Sequence, residues 1–265
     1  MPGGGTVAPR LCGFVPVLTF RFPLDELLTP YVERLCSHAL ISVPELQQRG
    51  GQMLPAVPLL IDSGGFAALL PGAVIEELDG LGVLVLPDGR RISPQQVQAA
   101  QETYGSIGFT LDFPGPPDIP GRAARAWLSL ANARWALQQP RSFELYASVQ
   151  PGQSLGPYLE LQPDGIALGG LAPCSRDRER LTQEVLRVRA QTDLPLHVFG
   201  IGHPESVRTV MQAGADSCDS SSPQRTAAGG RSWRGEVMPD AAPHERLRLA
   251  ILNLQASSEA GRVPA

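Results

Sequence analysis

Three aspartates, Asp62, Asp112 and Asp219, each close a short apolar run, and a glutamine, Gln150, and a glycine pair, Gly169-Gly170, close two others. This set contains no serine nucleophile motif, metal-ligand cluster or phosphate loop, which narrows the chemistry. Carboxylates by themselves can perform glycosidic reactions, one attacking or shielding an oxocarbenium-like anomeric carbon while another moves a proton at the leaving group. A further carboxylate, an amide and backbone N–H groups suit the edge of a purine, whose ring N–H and exocyclic amine need acceptors and whose carbonyl needs donors. The residue types therefore permit a glycosidic reaction on a nucleobase without demanding it, because aspartates at strand ends serve many functions. Each also has a plainer reading. Asp62-Ser63-Gly64-Gly65 could be a helix cap and turn, and Asp112 before Phe113-Pro114 could simply end a strand. Gln150 could be a turn residue, the glycine pair a close backbone approach, and Asp219 a cap in a polar loop. Their order along one chain of strands raises the functional reading above these.

The elements that would position them follow from the same runs. Residues 57–61, 107–111, 143–149, 165–168, 196–199 and 215–218 are apolar and each ends in a polar or glycine-containing segment, as strands of a buried parallel sheet do. Between them, periodic apolar positions predict helices over 94–104, 121–138, 177–191, 204–213 and 244–257. This alternation predicts an α/β fold, a (β/α)8 TIM barrel, with a doubly wound open sheet as the competitor. In a barrel the C-terminal ends of the strands converge on one mouth, so the polar residues above would share it. Residues 83–92 break the alternation and read as a β-hairpin insertion turned by Asp88-Gly89. Residues 1–265 are expected to form one catalytic barrel, with 1–8 and 257–265, small and polar, flexible at its ends.

Composition removes other classes. All 22 basic residues of the 265 are arginine, so no lysine Schiff base or Walker lysine exists. The formal net charge is −4, which argues against a generally basic nucleic-acid coat and confines any such contact to a local patch. Cys12, Cys36, Cys174 and Cys218 are scattered, without zinc-site spacing, so no metal, cofactor or disulfide framework is expected. No apolar run approaches a membrane span and no secretion signal is evident, so a cytoplasmic protein without a membrane partner is expected.

At this point the motifs resemble the tRNA-guanine transglycosylase family, which exchanges guanine in a nucleic acid for a 7-deazaguanine base. The likeness spans about residues 57–235. It is carried by Asp62-Ser63-Gly64-Gly65-Phe66, the hairpin followed by Ser93-Pro94-Gln95, Asp112, Val149-Gln150, and Gly165-Ile166-Ala167-Leu168-Gly169-Gly170-Leu171. Phe199-Gly200-Ile201-Gly202-His203-Pro204 and Gly214-Ala215-Asp216-Ser217-Cys218-Asp219-Ser220 complete it. The resemblance implies Asp219 as the nucleophile that holds the sugar covalently and Asp62 as the general acid/base. It implies that Ser63, Asp112, Gln150, Gly169, Gly170, Leu171 and Phe199 bind the base. Such a double displacement retains anomeric configuration and uses no cofactor.

Departures from the family bear on the polymer. The usual zinc subdomain with its C-x-C-x-x-C segment and the archaeal RNA-binding domains have no counterpart among these residues, so a monomer or weak dimer is expected. Ala172-Pro173-Cys174 follows the glycine pair where bacterial tRNA enzymes carry Gly-Glu. These features are similar to the archaeal and DNA-modifying branches, which accept the cyano base preQ0, and they place DNA slightly ahead of tRNA as the nucleic-acid partner. Arg225, Arg231 and Arg234, just after Asp219, are the first candidates to contact phosphates. Two alternatives stay open: a glycosidase or base exchanger acting on free nucleosides or nucleotides, and a non-catalytic nucleic-acid-binding partner subunit.

Overall fold

The apolar runs become strands because both of their faces are covered, one by the barrel lumen and the other by helices. The computed structural model describes residues 11–20, 23–49, 54–115, 119 and 121–262. In chain order, β1 (Gly13–Pro16), α1 (Pro23–Leu35), β2 (Ala39–Ser42), α2 (Val43–Arg49) and β3 (Leu59–Asp62) lead into an insertion of β4 (Val74–Leu78), β5 (Leu81–Val85) and β6 (Arg91–Ile92). Then come α3 (Pro94–Tyr104), β7 (Ile107–Phe109), α4 (Arg122–Leu137), β8 (Glu144–Val149), α5 (Gly156–Leu159) and β9 (Gly165–Leu168). The chain continues through α6 (Arg178–Arg189), β10 (Leu196–Val198), α7 (Pro204–Gln212), β11 (Ser217–Ser220), α8 (Ser222–Ala228) and α9 (Pro243–Ala260).

Eight of these strands form one parallel sheet in the order β1-β11-β10-β9-β8-β7-β3-β2. A parallel bridge between Val17 and Leu40, with Leu18 N donating to Leu40 O at 2.9 Å, brings the two ends together. The result is the expected (β/α)8 barrel. Its two opening strands were not legible beforehand. Each is four residues long, and Gly13, Pro16 and Ser42 dilute their apolar pattern, which is completed only by neighbours.

Residues alternate between lumen and outer shell along each strand. Leu40, Leu60, Phe109 and Tyr146 belong to the inner cluster, whereas Ile41, Ile61 and Ala147 face the shell beneath the helices with Leu28, Val185 and Leu249. Burying each large side chain stabilises the fold by roughly 1.5–3 kcal/mol. The parity fixes orientation: two residues beyond lumen-facing Leu60 stands Asp62, and Asp219 is in register with lumen-facing Val15.

The insertion is a three-stranded antiparallel sheet, β4-β5-β6. The expected hairpin pairs Leu84 with Ile92 and Val85 with Arg91. β4 adds a strand that its sequence concealed, since Val-Ile-Glu-Glu-Leu is mostly exposed and shows no buried face. The C-terminal end also differs from expectation. Residues 257–262, read as flexible with the rest of 257–265, belong to or directly follow α9, where Ser257 is fully buried and its Oγ donates to Gly202 O at 2.8 Å. Leu249, Ala250 and Leu254 bury the same helix against the barrel, and that packing overrides its small, polar end. Residues 1–8 and 263–265 lie outside the described residues. Among those described, no helix is long and apolar enough to cross a membrane.

Candidate active site

Asp62 is the last residue of β3, and its Oδ2 accepts the Gly64 N–H at 3.1 Å, which turns the chain sharply after the strand. The following Ser63 is fully buried, with its Oγ 3.4 Å from the donating Gly65 N. Gly65 is required by a close approach: a Cβ there would lie 1.9 Å from Asp112 O and 3.1 Å from Asp112 Oδ1. The glycine thus lets the Asp62 turn close directly onto Asp112. The 3-10 turn Gly65–Leu69 then displays Phe66, 67% exposed.

Asp112 is buried, and its Oδ2 accepts a hydrogen bond from Gln150 Nε2 at 2.5 Å. The glycine pair packs on this amide. A Cβ on Gly169 would meet Gln150 Nε2 at 2.5 Å, and Gly170 adopts a φ of 71° against Gln150 and Pro151. Leu171 is buried, and its carbonyl already accepts from Cys174 N at 3.0 Å and Cys174 Sγ at 3.2 Å. Any ligand at Leu171 would therefore compete for that carbonyl or use its N–H.

Asp219 lies inside β11 rather than after it. Asp216, expected within the strand, instead uses its carboxylate to accept from Leu196 N at 2.8 Å and Arg189 Nη2 at 2.6 Å. The strand consequently starts at Ser217 and runs on through Asp219, which is paired in register with Val15 of β1. The carboxylate is buried, and Gly200 N donates to Oδ1 at 2.7 Å. No described residue hydrogen-bonds Oδ2. Phe199 is half-buried beside it in the chain of aromatic rings, 4.8 Å from Phe109 and 5.0 Å from His197 between centroids.

The carboxyls do not share one electrostatic environment. Burial, then the charges of Asp219 and Asp112, push Asp62 up to about 7 despite the Gly64 and Ser63 N–H groups. Burial pushes Asp112 up to about 6, against the Gln150 hydrogen bond. The charge of Asp112, after burial, also raises the Tyr158 hydroxyl, which is itself buried. These couplings place Asp62 within electrostatic reach of both other aspartates.

Sequence reading missed the buried polar residues that hold this mouth from behind. Gln101 of α3 donates to Ile61 O at 3.2 Å and Phe109 O at 2.8 Å, tying the strands that carry Asp62 and Asp112. Asn132 of α4 donates to Leu111 O at 3.2 Å and Gly82 O at 3.1 Å and accepts from Gly82 N at 2.9 Å, while Ser129 Oγ accepts from Phe113 N at 2.8 Å. Asp112 is thereby clamped on both sides by one helix. The available signal was a polar residue on an otherwise apolar helix face.

Arg225, Arg231 and Arg234 are exposed on and after α8. Asn253 of α9 shapes this segment, donating to Pro223 O at 3.1 Å and Arg231 O at 3.2 Å and accepting from Trp233 N at 2.9 Å. Arg90 and Arg91 differ, being paired with Asp88 and Glu76 at 2.7 Å. Among the described residues no group of three or more His, Cys, Asp or Glu side chains could hold a metal ion, and Cys174 Sγ is engaged with Leu171 O.

A family model described as queuine tRNA-ribosyltransferase matches residues 51–256. A queuine tRNA-ribosyltransferase of Thermotoga neapolitana is 29% identical over 210 residues, covering 71% of this chain and 56% of its own. One from Cereibacter sphaeroides is 26% identical over 209 residues, covering 71% and 55%. One from Treponema denticola is 34% identical over 122 residues, covering 42% and 31%. The chain thus spans about half the length of the curated relatives it matches along most of its sequence.

Proposed function

Because the chain belongs to the queuine tRNA-ribosyltransferase family, we propose that it is a base-exchange transglycosylase, replacing guanine in a nucleic acid with a 7-deazaguanine such as preQ0. The observation that carries this reading is the division of labour among three carboxyls at one mouth: a buried acid poised near neutrality, a second raised acid bonded to an amide, and a carboxylate anchored by a backbone N–H.

In this mechanism Asp219 Oδ2 attacks C1′ from the face opposite the base. The C1′–N9 bond breaks, its electron pair goes to N9, and protonated Asp62 supplies the proton that neutralises the departing base. The incoming base then gives its N9 proton to Asp62, N9 bonds to C1′, and the electron pair of the C1′–O bond returns to Asp219. An acid near 7 serves both directions at neutral pH. Asp112 and Gln150 read the ring N–H, amine and carbonyl of the base, with Ser63 and the backbone of Gly169, Gly170 and Leu171 beside them. Phe199, and the exposed Phe66 that the motif carries, supply apolar faces for the purine ring.

The relatives are named for tRNA; Ala172-Pro173-Cys174 and the Asp219-Ser220 pair resemble the archaeal and DNA-modifying branches alike and support preQ0 as the base, and DNA is the polymer proposed here. Arg225, Arg231 and Arg234 would meet its phosphates, and in a duplex the target base must first be flipped out. Incubation with labelled preQ0 and duplex DNA, single-stranded DNA or tRNA tests the reading. Incorporation into DNA is expected. Label in tRNA alone overturns the polymer choice, and label in free guanosine alone overturns a polymer substrate.

A further inference from the structure

The row of the lumen just beneath Asp219 is unusually polar. Ser148, Ala167, His197 and Ser217 face one another across β8, β9, β10 and β11, and all four are buried. His197 is fully buried in an otherwise apolar strand, with Phe109 at 5.1 Å and Phe199 at 5.0 Å between ring centroids. Its Nδ1 is 2.8 Å from Ser217 Oγ. Its Nε2 has no hydrogen-bond partner and stands 3.7 Å from Asp219 Oδ1, the same oxygen that accepts from Gly200 N.

The two ring nitrogens can be assigned from these neighbours. A lone pair on Nε2 would face a carboxylate oxygen across a water-excluded gap, which is repulsive. The favourable tautomer puts the hydrogen on Nε2 and lets Ser217 Oγ–H donate to Nδ1. A buried N–H without a partner is costly unless some state of the molecule uses it.

We propose that His197 is a positioning residue for Asp219, whose Nε2–H stabilises Oδ1 in the charged carboxylate more than in the glycosyl ester. The inference rests on the transglycosylase reading above. When Oδ2 bonds to C1′, Oδ1 becomes an ester carbonyl and its negative charge is lost. When the C1′–O bond breaks, the electron pair returns to the carboxylate, and Gly200 N–H and His197 Nε2–H face the oxygen that shares it. His197 therefore favours release of the sugar to the incoming base and keeps the covalent intermediate from accumulating. Its place between Phe109 and Phe199 keeps the ring from turning away.

The test uses His197→Phe, which keeps a ring and removes the donor, and His197→Gln, which returns an N–H near the Nε2 position. The fraction of full-length chain captured on a guanine oligonucleotide is read on denaturing gels. His197→Phe is expected to raise it about five- to tenfold over wild type, the size of an ordinary net hydrogen bond, while guanine exchange slows. His197→Gln is expected to restore both. A merely structural role would lower capture and exchange together. Thermal unfolding of wild type, His197→Phe, Asp219→Ala and the double variant gives a measure independent of activity, with a coupling of about 2–4 °C expected. Unchanged or reduced capture in a folded His197→Phe chain, or coupling below about 1 °C, overturns the proposal. Coupling in a chain that forms no adduct even as wild type supports the contact and overturns the transglycosylase reading instead.

Discussion

The two sides of the barrel mouth use the same residue type in opposite ways. On the side of β3, β7 and β8, Asp62 and Asp112 are raised to about 7 and about 6 by burial, and for Asp62 by the neighbouring charges too. On the side of β10 and β11, Asp219 receives a backbone N–H at 2.7 Å and lies beside an imidazole. In the proposed mechanism one side handles protons, the other a bond to carbon. The lesson is that environment, rather than residue identity, separates an acid from a nucleophile.

The largest expected effects come from erasing one side. Asp219→Ala is expected to lower base exchange by about 10⁴-fold or more, measured with labelled guanine. Asp62→Asn should cost about 10²–10⁴-fold while leaving the Gly200 contact to Asp219 intact. Equal loss from a distant, equally buried position would dissolve the distinction between the sides.

Next comes the seam within the proton-handling side. Gly65→Ala forces a Cβ to 1.9 Å from Asp112 O, so the two turns must part. A loss of about 1–3 kcal/mol in stability is expected from denaturant unfolding, with exchange falling further than Asp112→Asn alone would lower it. Asn132→Ala, which releases Leu111 O and Gly82, should cost a similar 1–3 kcal/mol.

A gentler probe uses pH. Both raised acids are harder to ionise folded than unfolded, where the reference value is 3.8. Their contribution to stability is thus fully present below about pH 4 and is lost as pH rises through about 6 and about 7. Asp112→Asn is expected to unfold at higher temperature than wild type at pH 8 and at the same temperature at pH 4. A constant difference across that range would contradict the assignment. Smallest are the arginines: Arg225→Ala, Arg231→Ala and Arg234→Ala should each reduce the salt slope of oligonucleotide binding by about 1 without changing the order of the two sides.

Much of this mouth was legible in the sequence because strand-end chemistry leaves a local mark. Asp62, Asp112, Gln150 and the glycine pair interrupt apolar runs, and helix α3 announced itself through its periodic apolar positions; the Ser93–Gln96 capping box that starts it became visible only in the structure. What escaped depended on contacts made at long range. The strand carrying Asp219 shifted because Arg189, 27 residues away, claims Asp216 as a strand-start clamp. Gln101 and Asn132 look like ordinary helix polar residues until their carbonyl partners, 40 and 50 residues away, are known. His197 is similar: nothing in Leu196-His197-Val198 tells that its ring stands beneath Asp219. The α9 end misled for the converse reason, since its small residues are what close packing on Gly13 and Gly202 requires.

The most direct test of the account is covalent capture. Wild-type chain incubated with a labelled guanine-containing DNA strand and resolved under denaturing conditions should carry the label, and excess preQ0 should discharge it. Asp219→Ala should carry none, while Asp62→Asn should form the adduct slowly. Label retained on Asp219→Ala would contradict the assignment of the two sides.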